Sequence, residues 1–166
     1  DVLESLAVPI LLIEADIERI EAINQREIAT LYGDAANSEV ITHAHLEAAR
    51  VLVSTLPDET QAALLVTAAH DIAPNLPIIA RSATEDGVAL LARLGANYIV
   101  QPELEGGLEL VHHTLLQLGF PLRKVHEYAE AVRRDHYNIE ITTDAEHRSL
   151  HDLLMAVDIE IRWMEI

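Results

Sequence analysis

Pro9-Ile10-Leu11-Leu12-Ile13-Glu14 is an apolar run that closes on an acid, and about one helix later the chain reads Leu31-Tyr32-Gly33-Asp34-Ala35. These two stretches decide the fold. In an α/β unit that binds a dinucleotide, the acid closing the second strand faces the ribose hydroxyls, and the loop after the third strand borders the adenine. The glycine-rich turn that would precede Glu14 and hold the phosphates does not appear, because the sequence opens only a few residues upstream.

Outward from this pair, strand-like and helix-like segments alternate. Residues 9–14 read as a strand, and Asp16 is placed to cap a helix carrying Ile17, Ile20, Ile23 and Ile28 on one face. Residues 29–32 form a short strand. Asn37 or Ser38 caps the next helix, which turns Val40, Ile41 and Ala44 inward before a strand over residues 50–55, and Asp58 caps a helix through about His70. The second half repeats the scheme, with strands at 77–81 and 97–100, a helix from Thr84 that stops at Gly95, and a helix from about Glu103 to Leu118 that ends at Gly119. Strands alternating with helices at this spacing predict a doubly wound parallel sheet with right-handed crossovers.

Composition agrees with that class. Half of the 166 residues are hydrophobic but only 4% are aromatic, so Ile, Leu, Val and Ala must fill the core, as in a parallel sheet covered by helices. The net charge of −17 leaves no surplus of cations for a nucleic-acid backbone or an anionic lipid surface. With no cysteine, disulfides, thiol catalysis and Cys-based zinc sites are excluded together, and a reducing compartment fits. No apolar stretch approaches the length of a membrane span and no signal-peptide pattern is present, so direct membrane insertion of this segment is not expected.

Beyond Phe120-Pro121 the pattern changes. Residues 122–136 make an amphipathic helix outside the alternation, with Arg123, Lys124, Arg133 and Arg134 on its polar side and Leu122, Val125, Tyr128, Ala129 and Val132 on its apolar side. That apolar side must be buried somewhere, which makes the helices at 103–118 and 122–136 the expected dimer surface. Residues 157–165 alternate with strand periodicity, as the opening of a second module or a strand added to a partner's sheet.

The succession Ile13-Glu14-Ala15-Asp16, Tyr32-Gly33-Asp34-Ala35, Leu46-Glu47-Ala48-Ala49-Arg50, Val53-Ser54-Thr55, Ile79-Ala80-Arg81, Leu94-Gly95-Ala96-Asn97 and Val100-Gln101-Pro102-Glu103 resembles the RCK (TrkA N-terminal, or KTN) domain. The match in order and spacing runs over residues 1–119, and Val132-Arg133-Arg134-Asp135-His136-Tyr137 is similar to the continuation of this domain in Kef-like cation:proton antiporters. The resemblance implies a Rossmann-like domain over 1–119, and a crossover helix and linker over 120–166 leading toward a TrkA C-terminal-type domain. It implies a cytosolic regulatory module at the inner face of the cell membrane that binds an adenine nucleotide (NAD, NADH, AMP or ATP). Such a module gates a potassium channel or antiporter, on the same or a separate chain, as a homodimer or higher gating-ring assembly.

Carried over residue by residue, the resemblance gives Glu14 the ribose, sets Gly33, Asp34 and Ala35 beside the adenine, puts Thr55 at the end of the fourth strand of the family, and turns Arg81 toward the phosphates or a partner subunit. The family's strand order is 3-2-1-4-5-6, and its first strand and glycine loop do not appear in this sequence, so the sheet is expected to split at that place. Either an upstream segment supplies the strand, which is the favoured expectation, or it comes by exchange between subunits. Calcium-gated members of the family place carboxylates after the fifth strand; Ala80-Arg81-Ser82-Ala83 does not, and no metal site is carried over.

Each of these residues also has a structural reading. Glu14 could end a strand or cap a helix, Asp34 could stabilise its own turn, Thr55 could serve the fold alone, and Arg81 could pair with Glu85 or Asp86. Among nine histidines, His147 and His151 share a helix face beside Asp152 and His43 lies near His45, but neither pair has an evident third ligand for zinc. Adjacent His112 and His113 are expected to point apart on a helix. A nicotinamide-dependent oxidoreductase is the alternative function, since the fold serves both. Short-chain reductases need a Tyr four residues before a Lys, and the single lysine, Lys124, follows Phe120 at that spacing, so no catalytic residue is assigned.

Overall fold

The computed structural model describes residues 2–26 and 28–137. Contacts divide the chain into two compact units, Asp1–Glu105 and Gly106–Ile166. The expected helix around His147 and the strand over 157–165 lie outside the described residues.

The first unit begins with one turn of helix, α1 (Val2–Ser5), and then alternates β1 (Leu11–Glu14), α2 (Ile17–Asn24), β2 (Ala29–Tyr32), α3 (Ser38–Thr42), β3 (Leu52–Ser54), α4 (Glu59–Ile72), β4 (Ile78–Arg81), α5 (Glu85–Arg93) and β5 (Tyr98–Val100). All strand pairs are parallel, and they form two separate sheets. β1 pairs with β2, matching Leu11 to Ala29 and Glu14 to Tyr32. β3-β4-β5 makes the other, with Val53 matched to Ile79 and Ile79 to Tyr98. The sheet is therefore split where the sequence leads one to expect it, and among the described residues β1 and β3 each keep one unpaired edge.

Local chemistry starts α2, α3, α4 and α5. Asp16 Oδ1 accepts from the N–H groups of Glu18 (2.9 Å) and Arg19 (3.3 Å), Asn37 Oδ1 from Glu39, Asp58 Oδ1 from Gln61, and Thr84 Oγ1 from Gly87, satisfying amides that a helix leaves without intrahelical partners. Several boundaries differ from the sequence reading, among them the strand read over 9–14, which spans Leu11–Glu14. Ile28 lies past the end of α2, which closes at Asn24. The strand expected over 50–55 is confined to Leu52–Ser54, preceded by a 3-10 turn over Leu46–Ala48.

Packing centres on α4, whose Ala62, Leu65, Val66 and Ala69 recur with helical spacing and are all buried. Against them lie Ile41 of α3, Ile78 and Ala80 of β4, and Leu91 of α5. Ile13, Leu31 and Ala35 pack onto the same cluster, so both sheets share one core. The other face of the three-stranded sheet leaves Val53 and Tyr98 exposed, unusual for parallel strands, which are ordinarily covered on both sides.

The helix α6 (Pro102–Gln117) begins in the first unit and runs into the second, which continues with α7 (Leu122–Tyr137). On α7, Arg123 pairs with Glu127 at 2.7 Å and Arg133 with Glu130 at 2.7 Å, while Val125 is buried. Leu110, Leu118 and Leu122 remain exposed.

Candidate functional site

The first group of expected site residues converges at the carboxyl end of β1 and β2. Glu14 is the last residue of β1, and its carbonyl accepts from Gly33 N–H at 3.0 Å. Its carboxylate is held by its own chain: Oε1 accepts from Ala15 N–H at 2.9 Å and Asp16 N–H at 3.0 Å. Oε2 lies 3.6 Å from the Arg19 guanidinium, which is also 3.6 Å from Asp16 Oδ2. The side chain keeps a quarter of its surface open to solvent. An acceptor fixed in this way loses little conformational freedom on meeting a hydroxyl pair.

Gly33 explains the tight turn beside it. Its φ is +155°, and a Cβ built there would sit 2.7 Å from Val40 Cγ2, so only glycine lets the chain leave β2 against α3. Asp34 stabilises the turn itself, with Oδ1 accepting from Ala36 N–H at 2.9 Å and its carbonyl accepting from Asn37 N–H. Ala35 is half-buried against the core. Two carboxylates, Glu14 and Asp16, share the Arg19 guanidinium, which leaves net negative charge beside the end of β1.

Thr55 and Arg81 occupy the second sheet, Thr55 immediately after β3 and Arg81 as the last residue of β4. Arg81 pairs with Glu103 at 3.8 Å rather than with the neighbouring Glu85 or Asp86. A contact this long and partly exposed contributes little and leaves the guanidinium available. Both sets of residues thus lie at carboxyl ends of parallel strands, the edge at which open α/β sheets bind ligands.

Sequence reasoning missed a polar cluster at the same edge. Glu59, the first residue of α4, reaches Ser82 and Thr84, which follow Arg81 in the next loop. The Thr84 hydroxyl, then the Ser82 hydroxyl, hold the Glu59 carboxyl below the usual range. Asp58 and Thr84 are readable as caps, but nothing local signals a bond across 23 to 25 positions.

The histidines on α6 and α7 are closer than expected. His112 and His113 stack with centroids 5.4 Å apart, both approach Glu109, and the His126 ring lies 5.2 Å from that of His112. Among the described residues no group of three or more His, Asp or Glu is arranged to hold a metal ion. No helix of the described residues is long and apolar enough to cross a membrane.

Parallel strands wound with helices, an acid closing β1 and a glycine turn closing β2 define a Rossmann-like α/β domain. Residues 1–102 match the TrkA-N domain, and the chain belongs to that family. It is 34% identical over 111 residues to the Escherichia coli K12 protein YbaL, assigned as a cation/proton antiporter; the match covers 67% of this chain and 19% of YbaL. The chain thus spans about a fifth of that relative's length. The crystal structure of the TrkA-N domain of the inner membrane protein YbaL superposes with a TM-score of 0.61 over 70% of this chain and 82% of that one. The AMP-bound Kef CTD of Shewanella denitrificans (TM-score 0.60, 18% identity, 88% and 97% coverage) and the NAD-bound GsuK channel (0.60, 23%, 65% and 20%) share the fold.

Proposed function

We propose that the chain is the regulatory, nucleotide-sensing part of a potassium or cation transport protein, binding an adenine nucleotide at the carboxyl edge of its strands. The observation that carries this reading is the preset carboxylate of Glu14, held by two N–H groups beside the Gly33 turn. Glu14 takes the ribose hydroxyls, the Gly33-Asp34-Ala35 turn borders the adenine, and Thr55 and Arg81 serve the phosphate side. Family membership and the AMP and NAD complexes of proteins with this fold support the ligand class.

The unpaired edges of β1 and β3 support one further parallel strand between them, bringing the phosphate-binding loop from upstream residues or from a partner subunit. The ligand acts by population shift: it binds one arrangement of the module better than another, and a membrane-embedded channel or antiporter reads the difference at the cytoplasmic face. Exposed Leu110, Leu118 and Leu122 support association of two copies through α6 and α7, with residues from 120 onward serving as the connector. No step of catalysis belongs to this reading. Calorimetric titration with AMP and with NADH, on the unsubstituted chain and on Glu14→Gln, tests it.

A further inference from the structure

The start of α4 and the loop after β4 are joined through a single carboxylate oxygen. Glu59 Oε1 accepts from Thr84 Oγ1 at 2.8 Å and from Ser82 Oγ at 2.9 Å. Each hydroxyl is tied further: Thr84 Oγ1 accepts from Gly87 N–H at 3.0 Å, capping α5, and Ser82 Oγ accepts from Thr84 N–H at 3.2 Å while its one proton is shared between Glu59 Oε1 and the Thr84 carbonyl, also at 2.9 Å. Ser82 is 2% exposed. Gly87 closes the cluster, because a Cβ there would overlap both Glu59 Oε1 and Ser82 Oγ. A glycine inside a helix goes against helix propensity, and the space taken by this cluster accounts for it.

The location of the cluster gives it a role. Ser82 is bonded in sequence to Arg81, and Glu59 follows Thr55 by four residues, so the carboxylate ties together the two loops that leave β3 and β4 at the ligand edge. The long contact of Arg81 with Glu103 is too weak to fix its loop. Charge-assisted bonds from two hydroxyls to one carboxylate are strong enough.

We propose that Glu59 is a positioning residue of the nucleotide cleft: through Ser82 and Thr84 it fixes the Arg81 loop against the Thr55 loop, so that both meet the phosphate side of an adenine nucleotide together. This rests on the nucleotide reading above. It adds a residue that touches no ligand yet sets the affinity, and it makes the first turns of α4 and α5 respond to ligand as one piece.

The test is calorimetry with AMP on the full chain and on Glu59→Ala, Glu59→Gln and the milder Ser82→Ala, with amide exchange at Thr84 and Gly87. Glu59→Ala is expected to bind AMP about tenfold more weakly and to exchange both amides faster. Glu59→Gln restores most of the affinity, because its amide oxygen still accepts from both hydroxyls. Should Glu59→Ala not fold, Ser82→Ala is expected to weaken binding by about threefold. AMP affinity unchanged in Glu59→Ala or Ser82→Ala, with only the melting temperature lowered, would overturn the positioning role and leave the nucleotide reading intact. Failure of the unsubstituted chain to bind AMP would overturn both, while unchanged amide exchange in Glu59→Ala would refute the lock by itself.

Discussion

Gly33 donates its backbone N–H to the carbonyl of Glu14 at 3.0 Å, so the turn that closes β2 is fastened to the residue that closes β1. One hydrogen bond thereby sets the acid proposed to face the ribose and the turn proposed to border the adenine in a common frame. Substituting either residue is expected to act on ligand binding, but through different physics.

Gly33→Ala acts through the backbone. The added Cβ meets Val40 in a region of φ that side chains rarely adopt, and a loss of about 1–3 kcal/mol of stability is expected. Chemical denaturation checks it. A variant as stable as the parent would mean that α3 shifts freely away from the turn.

Selectivity between NADH and NADPH follows from the charges around Arg19. Its guanidinium is shared between Glu14 and Asp16, so a 2′-phosphate meets net negative charge, and NADPH is expected to bind at least about tenfold more weakly than NADH. Arg19→Ala should widen the gap. Competition between the two dinucleotides gives the ratio directly, and equal affinities would remove Glu14 from the ribose 2′ position.

Acid should loosen the Glu59 lock. Hydroxyl donors lower the carboxyl pKa in the folded state, so the stabilisation is complete above the ordinary glutamate range and is lost as pH falls through the lowered value. The sign is opposite to that of a histidine acquiring a partner. The stability difference between the parent and Glu59→Gln is expected to shrink on going from about pH 6 to about pH 3. A difference that stays constant with pH would show that the charge of Glu59 contributes nothing.

Association through α6 and α7 should depend on the exposed leucines. Leu118→Glu or Leu122→Glu puts charge where an apolar contact is expected, and should shift sedimentation from dimer toward monomer. A parent chain that is monomeric at high micromolar concentration would contradict the association itself.

How much of this was legible in the sequence depends on whether the signal was local. Asp16, Asn37, Asp58 and Thr84 are readable as caps because each bonds an amide two or three residues on. The split into β1-β2 and β3-β4-β5 was also legible, from the family's strand order. The long-range partners were not. Arg81 meets Glu103 and Glu59 meets Ser82 only after the crossovers bring separate strand ends together, and no spacing rule reaches that far. His112 and His113 were expected to diverge as helix neighbours, yet both rings turn toward Glu109. Asp34, open between ligand and turn on sequence grounds, makes the turn bond, and its exposed side chain leaves the ligand role for experiment.

The most direct measurement is a pair of calorimetric titrations with AMP, one on the parent chain and one on Glu14→Gln. A saturable exothermic isotherm for the parent is expected, with affinity about tenfold lower for Glu14→Gln, the loss of one charge-assisted hydrogen bond to the ribose. Equal affinities, or no binding by the parent, would contradict an adenine-nucleotide site built on Glu14.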